Sequence, residues 1–163
     1  MGIFFSGGEL LEIAVGMERN GIAFYDVLAK TTENAEVRAI YDYLAAEERR
    51  HLATFQEMMS SVEEMESPES YSEDYALYLK ALVDSRIFSD EAMAVAGAQE
   101  VTSDAEALDI ALALEKEAIL FYSEIRGLVR RPQQKMVGKV IAEERSHLMQ
   151  FSALKEKLVS GGH

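Results

Sequence analysis

One stretch of this sequence occurs twice. Residues 46–55 read AEERRHLATF and residues 142–151 read AEERSHLMQF, identical at seven of ten positions. Each copy holds a Glu-x-x-His, and each lies inside a long run with helical hydrophobic spacing. Four such runs are present. The first is expected over 6–30, where Ser6 with Glu9 three residues on forms a capping box. The second starts at Asn34, a good N-cap, and reaches 65, before Ser67-Pro68 breaks the pattern. The third starts at Ser103, with Glu106 completing a second box, and ends at 126 before Gly127. The fourth begins with Pro132, suited to a first helical turn, and reaches 159. Only 2 prolines and 10 glycines in 163 residues fit long helices better than a turn-rich β fold.

The connections define the architecture. TTEN joins runs one and two, and runs three and four are joined as tightly, so each pair forms an antiparallel hairpin. Residues 67–102 form a long crossover, in which Tyr75, Leu79, Leu82 and Val83 mark one short helix and SDEAMAVAGA (89–98) another. The expected fold is an all-α antiparallel four-helix bundle with one long crossover, formed by a single domain over 1–163.

Each long run has an apolar seam spaced by threes and fours, and each seam is violated near its middle. Leu11, Ala14, Glu18, Gly21 and Tyr25 form the first, and Leu108, Ala111, Glu115, Ala118 and Tyr122 the third. The second carries Glu48 and His51, and the fourth carries Glu144 and His147. An unpaired carboxylate in an apolar interior costs several kcal/mol, so four at one level must either take up protons or surround something positive. Residues three apart share a helix face, so each Glu-x-x-His can address one point. Four carboxylates balance two divalent cations, and a mixed carboxylate–imidazole set suits iron, manganese or zinc better than calcium. The candidate metal ligands are Glu18, Glu48, His51, Glu115, Glu144 and His147. Which carboxylates bridge and which chelate terminally is left open.

The repeat extends to the partner helices, where MERNGIAFYDVL (17–28) aligns with LEKEAILFYSEI (114–125). Tyr25 and Tyr122 follow their glutamates by two turns. They are read as core aromatics, or as the candidate catalytic residues beside the metal ligands, either phenols bonded to ligand carboxylates or redox-active neighbours. Gly21 and Ala118, one turn after Glu18 and Glu115, leave room for metals and a small oxidant or simply permit close packing. Glu47 and Glu143 are turned about 100° from the ligands. They are expected in solvent or paired with Arg49, Arg50 or Arg145, with the free N–H of a ligand histidine as the alternative.

Composition narrows the function. A net charge of −13 argues against nucleic acid as a partner. The absence of cysteine excludes disulfides, iron–sulfur clusters and thiolate metal sites in this chain. No stretch approaches the roughly 20 apolar residues of a membrane span, and MGIFFSGGEL lacks the basic start of a signal peptide. MGIFFS matches a myristoylation pattern only weakly, and Ser6 serves as a cap instead. His163 in the tail SGGH is set aside. A cytoplasmic protein is expected.

Glu18, Glu48-Arg-Arg-His51, Glu115 and Glu144-Arg-Ser-His147, in this order with one long crossover, resemble the rubrerythrin branch of the ferritin-like di-iron carboxylate proteins. The resemblance covers about residues 6–158. It implies a non-haem centre of two iron ions, reduction of peroxide or dioxygen as met in oxidative stress, and a homodimer or larger homo-oligomer. Two features depart from rubrerythrins proper. Those carry a rubredoxin-like domain with four cysteines, so this chain would need an external electron donor. They also carry a further glutamate where this chain has Ala118, which leaves a symmetric six-ligand set closer to bacterioferritin-like ferroxidase sites. Iron storage or metal homeostasis is therefore the alternative to oxidoreductase turnover, and an interaction module with a vestigial site is a third reading.

Overall fold

A computed structural model describes residues 5–60 and 72–161. These form six helices and no strand: α1 Gly7–Thr31, α2 Ala35–Met59, α3 Glu73–Asp84, α4 Glu91–Glu100, α5 Asp104–Leu128 and α6 Arg131–Ser160. The long helices are α1, α2, α5 and α6. α1 pairs with α2 and α5 with α6, and the two hairpins meet through α1–α5 and α2–α6. The fold is the expected bundle with one crossover, whose short helices are α3 and α4.

Local chemistry sets the starts. Ser6 Oγ accepts from the Glu9 N–H at 3.1 Å while the Ser6 N–H donates to the Glu9 carboxylate at 3.1 Å, a complete capping box. Asn34 Oδ1 accepts from the N–H groups of Glu36 and Val37. Ser103 Oγ caps α5 through the Glu106 N–H at 3.1 Å. The expected reciprocal bond differs, because the Glu106 carboxylate takes the N–H and hydroxyl of Thr102 instead. Pro132 sits in the first turn of α6, where a missing N–H costs nothing.

One helix end differs from expectation. α5 passes through Gly127 to Leu128, because Leu128 and Val129 pack onto the core and extend the helix by burial. α2 ends at Met59, and Ser60 closes it with a tighter bond to the Glu57 carbonyl at 3.1 Å. The expected continuation over 61–65, the Ser67-Pro68 break, the MGIF start and His163 lie outside the described residues.

The apolar core has two clusters. One gathers Leu11, Ala14, Phe55, Phe121, Ile125, Val137 and Val140. The other gathers Phe24, Leu28, Val37, Leu44, Leu108, Phe151 and Leu154. The seam glutamates and histidines lie between these two sets along every long helix. Each fully buried Leu, Val or Phe contributes about 1.5–3 kcal/mol, so the two clusters are what hold a polar layer at the centre.

The crossover docks on α1. Phe88, in the α3–α4 connection, stacks near Phe24 with ring centroids 5.5 Å apart, and its carbonyl accepts from Asn20 Nδ2 at 3.1 Å. Gly97 of α4 is needed there, since a Cβ would lie 2.6 Å from the Phe88 ring. No helix of the described residues is long and apolar enough to cross a membrane.

Candidate metal centre

The six residues singled out by their seam positions meet in one place. Glu18, Glu48, His51, Glu115, Glu144 and His147 are all at most 5% exposed. They fall into two groups, Glu18–Glu48–His51–Glu144 and Glu48–Glu115–Glu144–His147. Within each group the ligand atoms lie within 4.8 Å of one another. Glu48 and Glu144 belong to both groups, while each histidine and each of Glu18 and Glu115 belongs to one.

The distances fix the arrangement further. His51 Nδ1 is 3.7 Å from Glu18 Oε1 and 2.6 Å from Glu144 Oε1. His147 Nδ1 is 3.6 Å from Glu48 Oε1 and 3.8 Å from Glu115 Oε2. The two imidazoles are near-parallel, with centroids 5.9 Å apart. Both histidines therefore aim Nδ1 at the carboxylates.

Whether cations fit is decided by the buried polar atoms. Glu18 Oε2, Glu48 Oε1, His51 Nδ1, Glu115 Oε2, both Glu144 oxygens and His147 Nδ1 are buried without a hydrogen-bond partner. The short His51–Glu144 approach is not aligned as a hydrogen bond. Buried polar atoms are nearly always paired, so six neighbouring residues with orphaned atoms point to a missing electrophile. Two divalent cations would satisfy these atoms and cancel the four negative charges.

Burial and mutual repulsion favour protons on part of the cluster where no cation is bound. Burial first, then the charges of Glu48 and Glu115, hold Glu18 well above the usual carboxylate range. Burial followed by Glu115 and Glu48 does the same to Glu144. Burial also pushes Glu48 up, but contacts with Glu18, His147 and His51 outweigh it and leave Glu48 below its ordinary value. Burial alone would lower His147, yet the adjacent Glu115 and Glu48 raise it to about 9.

The two tyrosines cross between hairpins. Tyr25 Oη on α1 donates to Glu115 Oε1 on α5 at 2.8 Å. Tyr122 Oη on α5 donates to Glu18 Oε1 on α1 at 2.7 Å. Each phenol thus serves the glutamate of the opposite hairpin. Burial, then the surrounding carboxylates, lift both phenols well above their usual range, so they remain protonated donors.

Glu143 takes the alternative read for it, the free N–H of a ligand histidine, rather than solvent or an arginine. Its Oε2 lies 2.7 Å from His51 Nε2, so the outer imidazole nitrogen donates to Glu143 and Nδ1 is left facing inward. Glu47 is buried rather than solvated, and it pairs with Arg50 one turn on, as the arginine expectation had it. The Glu143 contact joins α6 to α2, so spacing within one helix gave no direct signal of it.

A small cavity of about 30 Å³ adjoins the cluster on the α1–α5 side, beside Gly21 and Ala118. A Cβ at Gly21 would rest 3.5 Å from Glu48 Oε2, an ordinary contact, so Gly21 preserves space rather than avoiding a clash.

Comparison with known proteins agrees with this geometry. A solved Thermotoga maritima protein described as a "putative ferritin-like diiron-carboxylate protein" is similar, with 27% identity and a TM-score of 0.69. The alignment covers 94% of this chain and 97% of that one. Comparison with curated proteins gives no match. The Rubrerythrin family model matches residues 9–155, from the first turn of α1 to the last turns of α6 and across both halves of the cluster. The chain belongs to the rubrerythrin family.

Proposed function

We propose that the chain is a di-iron oxidoreductase that reduces peroxide or dioxygen. The observation that carries this reading is the set of orphaned buried atoms on four glutamates and two histidines. Glu18, Glu48, His51 and Glu144 would hold one iron, and Glu48, Glu115, Glu144 and His147 the other. Glu48 and Glu144 belong to both groups and so would be shared between the two cations. Iron, when bound, supplies the two electrons by cycling between Fe(II) and Fe(III). Manganese or zinc could occupy the same donors, although zinc would not cycle.

The protein residues prepare the site. Tyr25 and Tyr122 hold the Glu115 and Glu18 carboxylates in one orientation and leave the second oxygen of each free. Glu143 fixes the His51 ring and its tautomer. The flanking apolar clusters exclude water. Converting hydrogen peroxide to two waters consumes two protons and two electrons, and the electrons would come from an external donor. A cytoplasmic homodimer or larger homo-oligomer is the expected setting.

A ferroxidase role in iron storage or metal homeostasis is the second reading. It is favoured by Ala118 and Gly21, which leave the two halves of the cluster alike. The test is anaerobic loading with Fe(II), followed by peroxide or oxygen in separate runs. Turnover with added reductant and a di-ferric absorbance that His51→Ala removes supports the first reading. Uptake of iron far beyond two ions per chain in a large assembly supports the second.

A further inference from the structure

The cavity beside the cluster has a floor, walls and a roof drawn from different elements. Glu48, Glu115 and Glu144 form the floor, and Gly21 and Ala118 the walls next to them. Arg86, Phe88 and Glu117 also line it. Arg86 and Glu117 are half-buried, as are Met17 and Leu114, whereas the floor carboxylates are buried, so these four stand nearer the mouth. The roof is the α3–α4 connection, which spans α1 and α5 as a strap. Asn20 of α1 holds the Phe88 carbonyl at 3.1 Å, and Glu117 of α5 accepts the Ile87 N–H at 2.7 Å. Arg86 is turned by its Nε bond to the Val83 carbonyl at 2.9 Å.

On another face, the groove lined by Arg50, Thr54, Lys139 and Glu143 touches His51 alone among the six clustered residues. The cavity under the strap instead reaches the carboxylates Glu48, Glu115 and Glu144. About 30 Å³ holds roughly two water-sized molecules, which suits hydrogen peroxide or dioxygen and excludes a bulky organic hydroperoxide.

We propose that the strap over Arg86–Phe88, latched to Glu117 and Asn20, is the entry port for the small oxidant and restricts the site to hydrogen peroxide and dioxygen. This inference rests on the oxidoreductase reading. Arg86 and Glu117 are positioning residues that act on size selection and not on the chemistry at the metals.

The full chain, loaded with iron and reduced anaerobically, is mixed with hydrogen peroxide or cumene hydroperoxide, and the rates of ferric absorbance growth are compared. The wild type is expected to favour hydrogen peroxide by about 100-fold or more, and Arg86→Ala to narrow that ratio about tenfold. Glu117→Gln weakens the latch while keeping its shape. It is expected to speed hydrogen–deuterium exchange of the Ile87 amide about tenfold, even in metal-free protein. A ratio unchanged in Arg86→Ala and an Ile87 amide unchanged in Glu117→Gln, with iron oxidised normally, would overturn the port. Iron bound but oxidised by neither reagent would instead overturn the oxidoreductase reading, and the port with it.

Discussion

The two copies of the Glu-x-x-His stretch bring matching candidate ligands to one buried cluster but give them different surroundings. In the second copy, Glu143 reaches across the bundle and holds His51 at 2.7 Å. In the first copy, its counterpart Glu47 pairs with Arg50. Position 50 is one of the three at which the copies differ, and its counterpart is Ser146. Arg50 thus lies one turn from one glutamate, whereas Ser146 puts no cation at the equivalent place beside the other. His147 instead meets the edge of the Tyr43 ring at 6.4 Å. The lesson is that a duplicated sequence fixes the coordinating atoms, and single flanking residues decide how firmly each is held.

The largest expected effect separates shared from unshared carboxylates. Glu144→Ala should abolish binding of both irons, and Glu18→Ala should leave one iron per chain, as read by metal analysis after anaerobic loading. Equal stoichiometry in the two variants would refute the assignment of Glu144 to both positions.

Next comes the pH dependence of the metal-free protein. His147 in the fold keeps its proton to about 9, against 6.5 ordinarily. Its contribution to stability is complete below about pH 6.5 and is lost as pH rises towards 9. Glu18 and Glu144, also raised, act in the same direction. Thermal unfolding of metal-free protein should therefore shift down by about 5 °C between pH 6 and pH 9. Iron-loaded protein should change less, because cations replace the protons.

The asymmetry itself is tested by two matched variants. Glu143→Gln should weaken iron binding about tenfold, and Glu47→Gln no more than about threefold. Arg50→Ser should bring the two closer together by releasing Glu47. Smaller still, Tyr25→Phe and Tyr122→Phe should each cost about 1–2 kcal/mol of stability, measured by denaturant unfolding, since each strands a buried carboxylate oxygen. Similar losses in both would show that the cross-hairpin phenol bonds are equivalent although their surroundings are not.

Much of this was legible in the sequence because it depends on local rules. Ser6, Asn34 and Pro132 marked helix starts through capping chemistry, and the seam glutamates stood out because a carboxylate at a core position demands a partner. What was not legible depends on how the hairpins dock. The Glu143–His51 contact was legible only as an alternative, because it joins residues 92 apart on different hairpins. The strap at Arg86–Phe88 has no periodic signal, and only tertiary packing brings it over the cluster. Gly127 misled as a stop signal, because burial of Val129 carried the helix past it.

The central claim is that six buried residues form one dinuclear site. Anaerobic titration of metal-free protein with Fe(II), followed by calorimetry, tests it most directly. Saturation at two irons per chain with release of protons, and one iron fewer in Glu18→Ala, is the predicted result. Saturation at one iron or none, or a stoichiometry indifferent to Glu18→Ala and Glu144→Ala, would contradict it.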